Sequence, residues 1–255
     1  MLRSTASSYA HAGSTTPLLG YTIPDYLDLI SDRFPDNEAL VDVPSGRRWT
    51  YREFRDDCRR LAKSLMQSGI NRGDKVGIWA TNYPEWVLVQ FGSAITGAVL
   101  VNINPAYRTH ELEYALANSG ARALFLIERF KSSDYTGMLR SLAPELAFCA
   151  PGQLQSQKLP HLGTIIAMGD ETPPGMLAFD DVVETGRLVS KARLDKITET
   201  LDCNDAINIQ FTSGTTGLPK GACLTHRNIV NNAHFVTAAM EFSDLDRLCI
   251  PVPFY

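Results

Sequence analysis

Gln210-Phe211-Thr212-Ser213-Gly214-Thr215-Thr216-Gly217-Leu218-Pro219-Lys220-Gly221-Ala222 gathers glycines, hydroxyl side chains, a turn-forming proline and one lysine into a single short run. The six residues at 206–211 are mostly apolar and read as a strand that delivers it. Glycines let backbone come close to a ligand and turn its N–H groups inward. Serine and threonine hydroxyls add donors, and Lys220 adds a point positive charge. Such a loop suits a polyphosphate. The same composition also makes solvated turns and linkers, so physics alone leaves both readings open. Walker A is excluded: counted from Gly214, its second glycine falls on Pro219, and Lys220 is followed by Gly221 instead of serine or threonine.

Outward from this run, helical and strand patterns alternate. Leu27, Ile30 and Phe34 share one helical face, with Pro24 early, where it is tolerated. Thr50-Tyr51-Arg52-Glu53 is a capping box. It opens a helix with Tyr51, Phe54, Cys58, Leu61 and Leu65 on one stripe, ended by Gly69. A strand at 76–80 follows, then a helix from Pro84 to Gly97, a strand at 98–103, a helix at 109–118 and a strand at 121–127. The region 141–175 is less periodic, with a further strand at 164–168. This rhythm predicts an α/β fold: a parallel-rich sheet layered with helices on both faces. Thr225 is expected to cap the helix after the loop. That strand–loop–helix order would bring a helix dipole toward a phosphate.

With 255 residues the chain holds one large domain or two small ones. A net charge of −4 gives no reason to expect nucleic acid as a partner. No apolar run is long enough to span a bilayer. Cys58, Cys149, Cys203, Cys223 and Cys249 lie far apart without metal-ligand spacing and read as free, reduced and intracellular. Residues 1–20 carry Arg3, no acid and many hydroxyls, a bias shared with organelle transit peptides. They are read as a loose N-terminal arm. The location expected is cytoplasmic, with the mitochondrial matrix as the alternative.

Read together, residues 211–222 closely resemble the signature loop of the adenylate-forming (AMP-binding) superfamily, which includes acyl-CoA synthetases, luciferases and peptide-synthetase adenylation domains. Asp74-Lys75-Val76-Gly77-Ile78-Trp79 with Asn82-Tyr83-Pro84-Glu85-Trp86 is similar to an early strand and helix of that family. The block from Ala94 to Tyr107 is similar to its next one. The ending Asn104-Pro105-Ala106-Tyr107, with Thr225-His226-Arg227-Asn228-Ile229, looks most like fatty acyl-CoA ligases. The resemblance covers nearly everything from about Tyr21 onward. It implies an N-terminal AMP-binding domain at 21–255, part of the large domain of such an enzyme.

The activity implied is ATP-dependent activation of a carboxylic acid, of medium or long chain, to an acyl-adenylate, followed by transfer to coenzyme A. ATP, the acid and coenzyme A are the partners implied, with Mg2+ sharing the charge; oligomeric state is left open. On this resemblance Lys220 neutralises charge as the catalytic residue. Backbone N–H groups at Gly214 and Gly217 and the hydroxyls of Thr212, Ser213, Thr215 and Thr216 grip the phosphates, with Leu218 and Pro219 completing the loop. No metal-ligating residue is nominated. His226 is expected in local capping or at the surface, His234 and Phe235 in core packing, and Trp79 and Trp86 between sheet and helix. Asp180, Asp181, Glu111 and Glu113 show no spacing that demands catalysis.

The ending Ile250-Pro251-Val252-Pro253-Phe254-Tyr255 resembles the start of the block bordering the carboxylate pocket, which in relatives continues into histidine. The family's adenine and ribose segments, acidic magnesium site, hinge and mobile C-terminal domain have no counterpart. The chain alone is therefore expected to be inactive and to expose apolar surface. Two other readings are an adenylation module loading a carrier protein and a non-catalytic phosphate-binding or interaction protein.

Overall fold

The structure, a computed structural model, describes residues 16–212 and 219–255. Thr22 opens α1 (Ile23–Arg33) with a capping box to Asp25, and Pro24 sits in the first turn, where a missing N–H costs nothing. Leu19, within the stretch read as a loose arm, exchanges two hydrogen bonds with the Asn231 carboxamide, at 2.8 and 3.0 Å. An antiparallel hairpin, β1 (Glu38–Asp42) and β2 (Arg47–Thr50), follows and is absent from the sequence reading. The capping box of Thr50 and Glu53 starts α2 (Tyr51–Gln67) as expected, burying Phe54, Cys58, Leu61 and Leu65. Arg52, Arg55 and Arg59 of α2 pair in turn with Asp36, Asp32 and Asp28, a ladder of ion pairs along the seam with α1.

Strand and helix then alternate: β3 (Lys75–Trp79), α3 (Pro84–Thr96), β4 (Val99–Asn102), α4 (Thr109–Ser119) and β5 (Ala121–Leu126). A small hairpin, β6 (Arg129–Phe130) and β7 (Ser133–Asp134), leads to α5 (Tyr135–Leu142). Beyond it lie β8 (Thr164–Ala167), β9 (Leu177–Ala178), α6 (Phe179–Thr185) and α7 (Lys191–Thr198). The last elements are β10 (Ala206–Thr212), β11 (Lys220–Thr225) and α8 (His226–Ala239).

Seven strands form one sheet in the order β11-β10-β4-β3-β5-β8-β9, parallel throughout except for the β10–β11 pair. The crossover through α3 moves across the sheet one way, and those through α4 and α5 move the other. Right-handed connections therefore set α3 on one face and α4 and α5 on the opposite one. α1 and α2 pack on α3, and α4 packs on α5. Strands covered on both sides must be apolar continuously instead of alternately. β4 accordingly reads Val-Leu-Val-Asn with every residue buried.

α3 ends on Gly97, whose φ of 71° is the left-handed cap that L side chains avoid. A Cβ there would lie 2.7 Å from the Leu201 side chain, so two reasons demand glycine. Past the first turns of α8 the chain presents Val236, Met240, Leu245 and Leu248 to solvent.

Candidate functional site: the carboxyl end of the sheet

In the β10–β11 hairpin, Thr212 pairs with Lys220 and Ala206 with Thr225. β10 also runs parallel to β4, with Gln210 beside Asn102, and β4 runs parallel to β3, with Asn102 beside Ile78. The tip of the hairpin therefore emerges at the carboxyl end of the sheet, level with the ends of β3 and β4. Thr212 and Lys220 flank that tip, both exposed, and the Thr212 hydroxyl donates to the Lys220 carbonyl at 3.4 Å. Pro219 precedes Lys220 at its base. The remaining proposed phosphate ligands, Ser213, Gly214, Thr215, Thr216, Gly217 and Leu218, lie outside the described residues.

The expected strand–loop–helix order is corrected here to strand–loop–strand–helix. β11 escapes notice because an edge strand pairs through its backbone and needs no apolar alternation; four of its six residues are exposed. Thr225 does cap α8, in a capping box with Asn228, but it does so at the far end of the hairpin. Five residue steps of strand separate the helix from the loop, roughly 17 Å, so the α8 dipole does not act at the tip.

A second correction concerns α8 itself. His226 is neither solvated nor a cap of its own helix: it is fully buried, and its Nδ1 accepts the Ile23 N–H at 3.1 Å. It thus joins the amino ends of α1 and α8. Burial holds its pKa down at about 4, against the pull of Asp205 and Asp25. His234 is half-buried and Phe235 exposed, so neither packs in the core as expected.

A cavity of about 590 Å³ is lined among others by Thr81, Asn82, Asn104, Arg108, Lys131 and Tyr255. Its walls come from the segments after β3, β4 and β5 and from residues 251–255. Counted from β3, the order β4-β3-β5-β8-β9 reverses direction at β3, and open α/β sheets bind ligands in the crevice such a reversal creates. Lys131 stands there with φ 53°, an unusual value for a side chain other than glycine.

Two aromatic rings support the crevice from below. Trp79 stacks on Tyr135 with centroids 3.8 Å apart and planes 7° from parallel. The Trp79 indole N–H donates to the Asn104 carbonyl at 3.2 Å, and the Tyr135 hydroxyl donates to the Pro105 carbonyl at 2.6 Å. Burial pushes the Tyr135 hydroxyl up to about 12, keeping it a donor. Trp79 therefore packs where expected, and it also pins the turn after β4. Trp86, also buried, meets Phe254 at 5.2 Å.

A buried chain of amides runs beneath the hairpin. Asn102 Nδ2 donates to Asn208 Oδ1 at 3.4 Å, and Asn208 Nδ2 donates to Gln90 Oε1 at 3.0 Å, tying β4, β10 and α3 together. The sequence carried a signal for it: an asparagine inside each of two apolar strands. Glu111 caps α4 through the Arg108 N–H, and Asp180 and Asp181 lie in the first turn of α6. All five cysteines are free thiols. Among the described residues no group of His, Cys, Asp and Glu could hold a metal ion, and no helix is long and apolar enough to cross a membrane.

Comparison with known proteins agrees with this architecture. The model of the family described as AMP-binding enzyme matches residues 28–255. The zebrafish (Danio rerio) medium-chain acyl-CoA ligase ACSF2, mitochondrial, is 42% identical over 251 residues, which are 98% of this chain and 41% of that protein. Its human (Homo sapiens) counterpart is 38% identical over 255 residues, covering 97% and 41%. The chain thus spans about two fifths of the length of these relatives. A long-chain-fatty-acid-CoA ligase from Archaeoglobus fulgidus superposes with a TM-score of 0.71 at 21% identity, over 94% of this chain and 43% of that one. The inhibitor-bound N-terminal domain of FACL13 from Mycobacterium tuberculosis gives 0.72 at 23%, over 92% and 52%. By the family match over residues 28–255, this chain belongs to the AMP-binding enzymes.

Proposed function

We propose that the whole protein activates a carboxylic acid with ATP and transfers the acyl group to coenzyme A. A carboxylate oxygen attacks the α-phosphorus, pyrophosphate leaves, and a thiolate then displaces AMP from the acyl-adenylate. The observation that supports this most directly is the pairing of Thr212 with Lys220. It sets an exposed hydroxyl and an exposed ammonium on either side of the Ser213–Leu218 segment, at the carboxyl end of the sheet. In this reading Lys220 neutralises the β- and γ-phosphates, while Thr212, Ser213, Thr215 and Thr216 with the Gly214 and Gly217 amides hold them in line. Leu218 and Pro219 shape the loop, and residues 21–255 form the corresponding part of an N-terminal AMP-binding domain.

In this reading Mg2+ accompanies the triphosphate and shares its charge. A fatty acid of medium chain is the substrate the names of the vertebrate relatives favour, and their mitochondrial designation supports the matrix over the cytoplasm. The test is acid-dependent exchange of pyrophosphate into ATP by the whole protein across a panel of carboxylic acids. Exchange that peaks with medium-chain acids and falls about a hundredfold in Lys220→Ala is expected. Exchange indifferent to the acid, or to that substitution, overturns the reading.

A further inference from the structure

Residues 250–255 belong to no helix or strand, and Pro251, Pro253 and Tyr255 among them line the cavity. Their order is set by two prolines. Pro251 and Pro253 hold the residues before them, Ile250 and Val252, in extended backbone. In extended chain the N–H and C=O groups of alternate residues face the same edge. One edge therefore carries Pro251 and Pro253, which lack donors, while the other carries Ile250, Val252 and Phe254. On that edge neither proline can donate to a neighbouring strand.

The edge it retains meets one side chain. Asn82 Nδ2 donates to the Val252 carbonyl at 2.8 Å and to the Ile250 carbonyl at 3.4 Å. Asn82 Oδ1 accepts the Phe254 N–H at 3.0 Å. A carboxamide has the donor and acceptor of a peptide unit, so Asn82 stands in for a neighbouring strand. Trp86, one helical turn further on, adds a ring contact to Phe254 at 5.2 Å. Asn82 itself lies in the segment after β3, three residues past Trp79 and next to the point where the sheet reverses direction, and with Thr81 it lines the same cavity as Pro251, Pro253 and Tyr255.

We infer that Asn82 is a positioning residue: it fixes the 250–255 segment across the carboxyl end of the sheet and thereby sets the wall of the subsite that receives the carboxylic acid. This rests on the reading of function above and on the resemblance of residues 250–255 to the block that borders the carboxylate pocket. Asn82 need not touch the acid; it acts through Phe254 and Tyr255.

Two measurements test it. In the 255-residue chain, hydrogen exchange at the Phe254 amide reports the clamp directly. Asn82→Ala and the same-sized Asn82→Asp, which turns an oxygen on both carbonyls, should each speed that exchange about tenfold while amides of β3 and β4 keep their protection. In the whole protein, pyrophosphate exchange should show a KM for the acid raised about tenfold in both variants, with the KM for ATP unchanged. Unchanged Phe254 exchange overturns the inference. So do equal losses for acid and ATP, which would mark a merely structural role. If the wild-type protein shows no acid-dependent exchange, the functional reading falls and takes the acid subsite with it. If it shows exchange and only the acid KM of the variants fails to move, the inference about Asn82 falls alone.

Discussion

Trp79 and Tyr135 lie 3.8 Å apart in a nearly parallel stack, and each donates a hydrogen bond to one of the consecutive carbonyls of Asn104 and Pro105. One residue comes from the end of β3 and the other from the start of α5. Their joint grip fixes the turn after β4, on which part of the cavity wall depends. Tyr135→Phe keeps the ring and removes only the hydroxyl. It should leave the buried Pro105 carbonyl unpaired and cost roughly 1–3 kcal/mol, read from denaturant midpoints at constant slope. Tyr135→Ala would add the loss of the ring and reach about 3–5 kcal/mol.

Stability should respond to pH through His226. Its folded pKa of about 4 lies below the ordinary 6.5, so the unfolded chain takes up a proton first as pH falls. Between pH 6.5 and 4 the unfolded state holds more protons, and stability should drop with falling pH by at most about 3 kcal/mol. Below that window this contribution is flat. His226→Gln should remove this component of the slope in melting temperature against pH. A slope identical in wild type and variant would refute the assignment.

Gly97→Ala confronts both the left-handed backbone at φ 71° and the Leu201 side chain 2.7 Å from the new Cβ. A loss of about 2 kcal/mol or more is expected from strain and overpacking together. Gly46, also left-handed but with open space around it, serves as the control: Gly46→Ala should lose only the backbone part, about 1 kcal/mol. Chemical denaturation of the two variants side by side separates the contributions.

The α1–α2 ladder should contribute little per rung and be salt-sensitive. Asp28, Asp32 and Asp36 stand opposite Arg59, Arg55 and Arg52, mostly at the surface. Each Asp→Asn change is expected to cost at most about 1 kcal/mol. The triple variant should melt lower than wild type in dilute buffer and approach it in molar salt, where screening reaches only about 3 Å. A gap that persists in salt would mean the aspartates act through packing or capping instead.

Where the chain's own periodicity and caps set local structure, the sequence was legible. The early Pro24 of α1, the capping box at Thr50, the stop at Gly97 and the buried run of β4 all speak within one element. What escaped depends on partners distant in sequence. β11 exists because β10 offers its open edge, and nothing in Lys220-Gly221-Ala222-Cys223-Leu224-Thr225 announces it. His226 is buried because α1, some two hundred residues earlier, brings an unpaired N–H to it. The crevice beside β3 was not seen at all, since its lining comes from four separate segments and no one of them forms a motif. The glycine- and threonine-rich run was legible as a motif, and the fold places its flanking residues, Thr212 and Lys220, at the carboxyl end of the sheet.

Closing the base of that run with a Thr212–Lys220 pair separates two properties that a strand–loop–helix design would bind together. When a loop leads straight into a helix, the loop's last residues also set where the helix begins. Here β11 absorbs the register, and α8 takes its setting from Thr225, Asn228 and the His226 contact to α1. The setting of α8 is therefore fixed by contacts outside the stretch between Thr212 and Lys220. A change confined to that stretch that keeps the Thr212–Lys220 pair is expected to leave the helix behind it where it is.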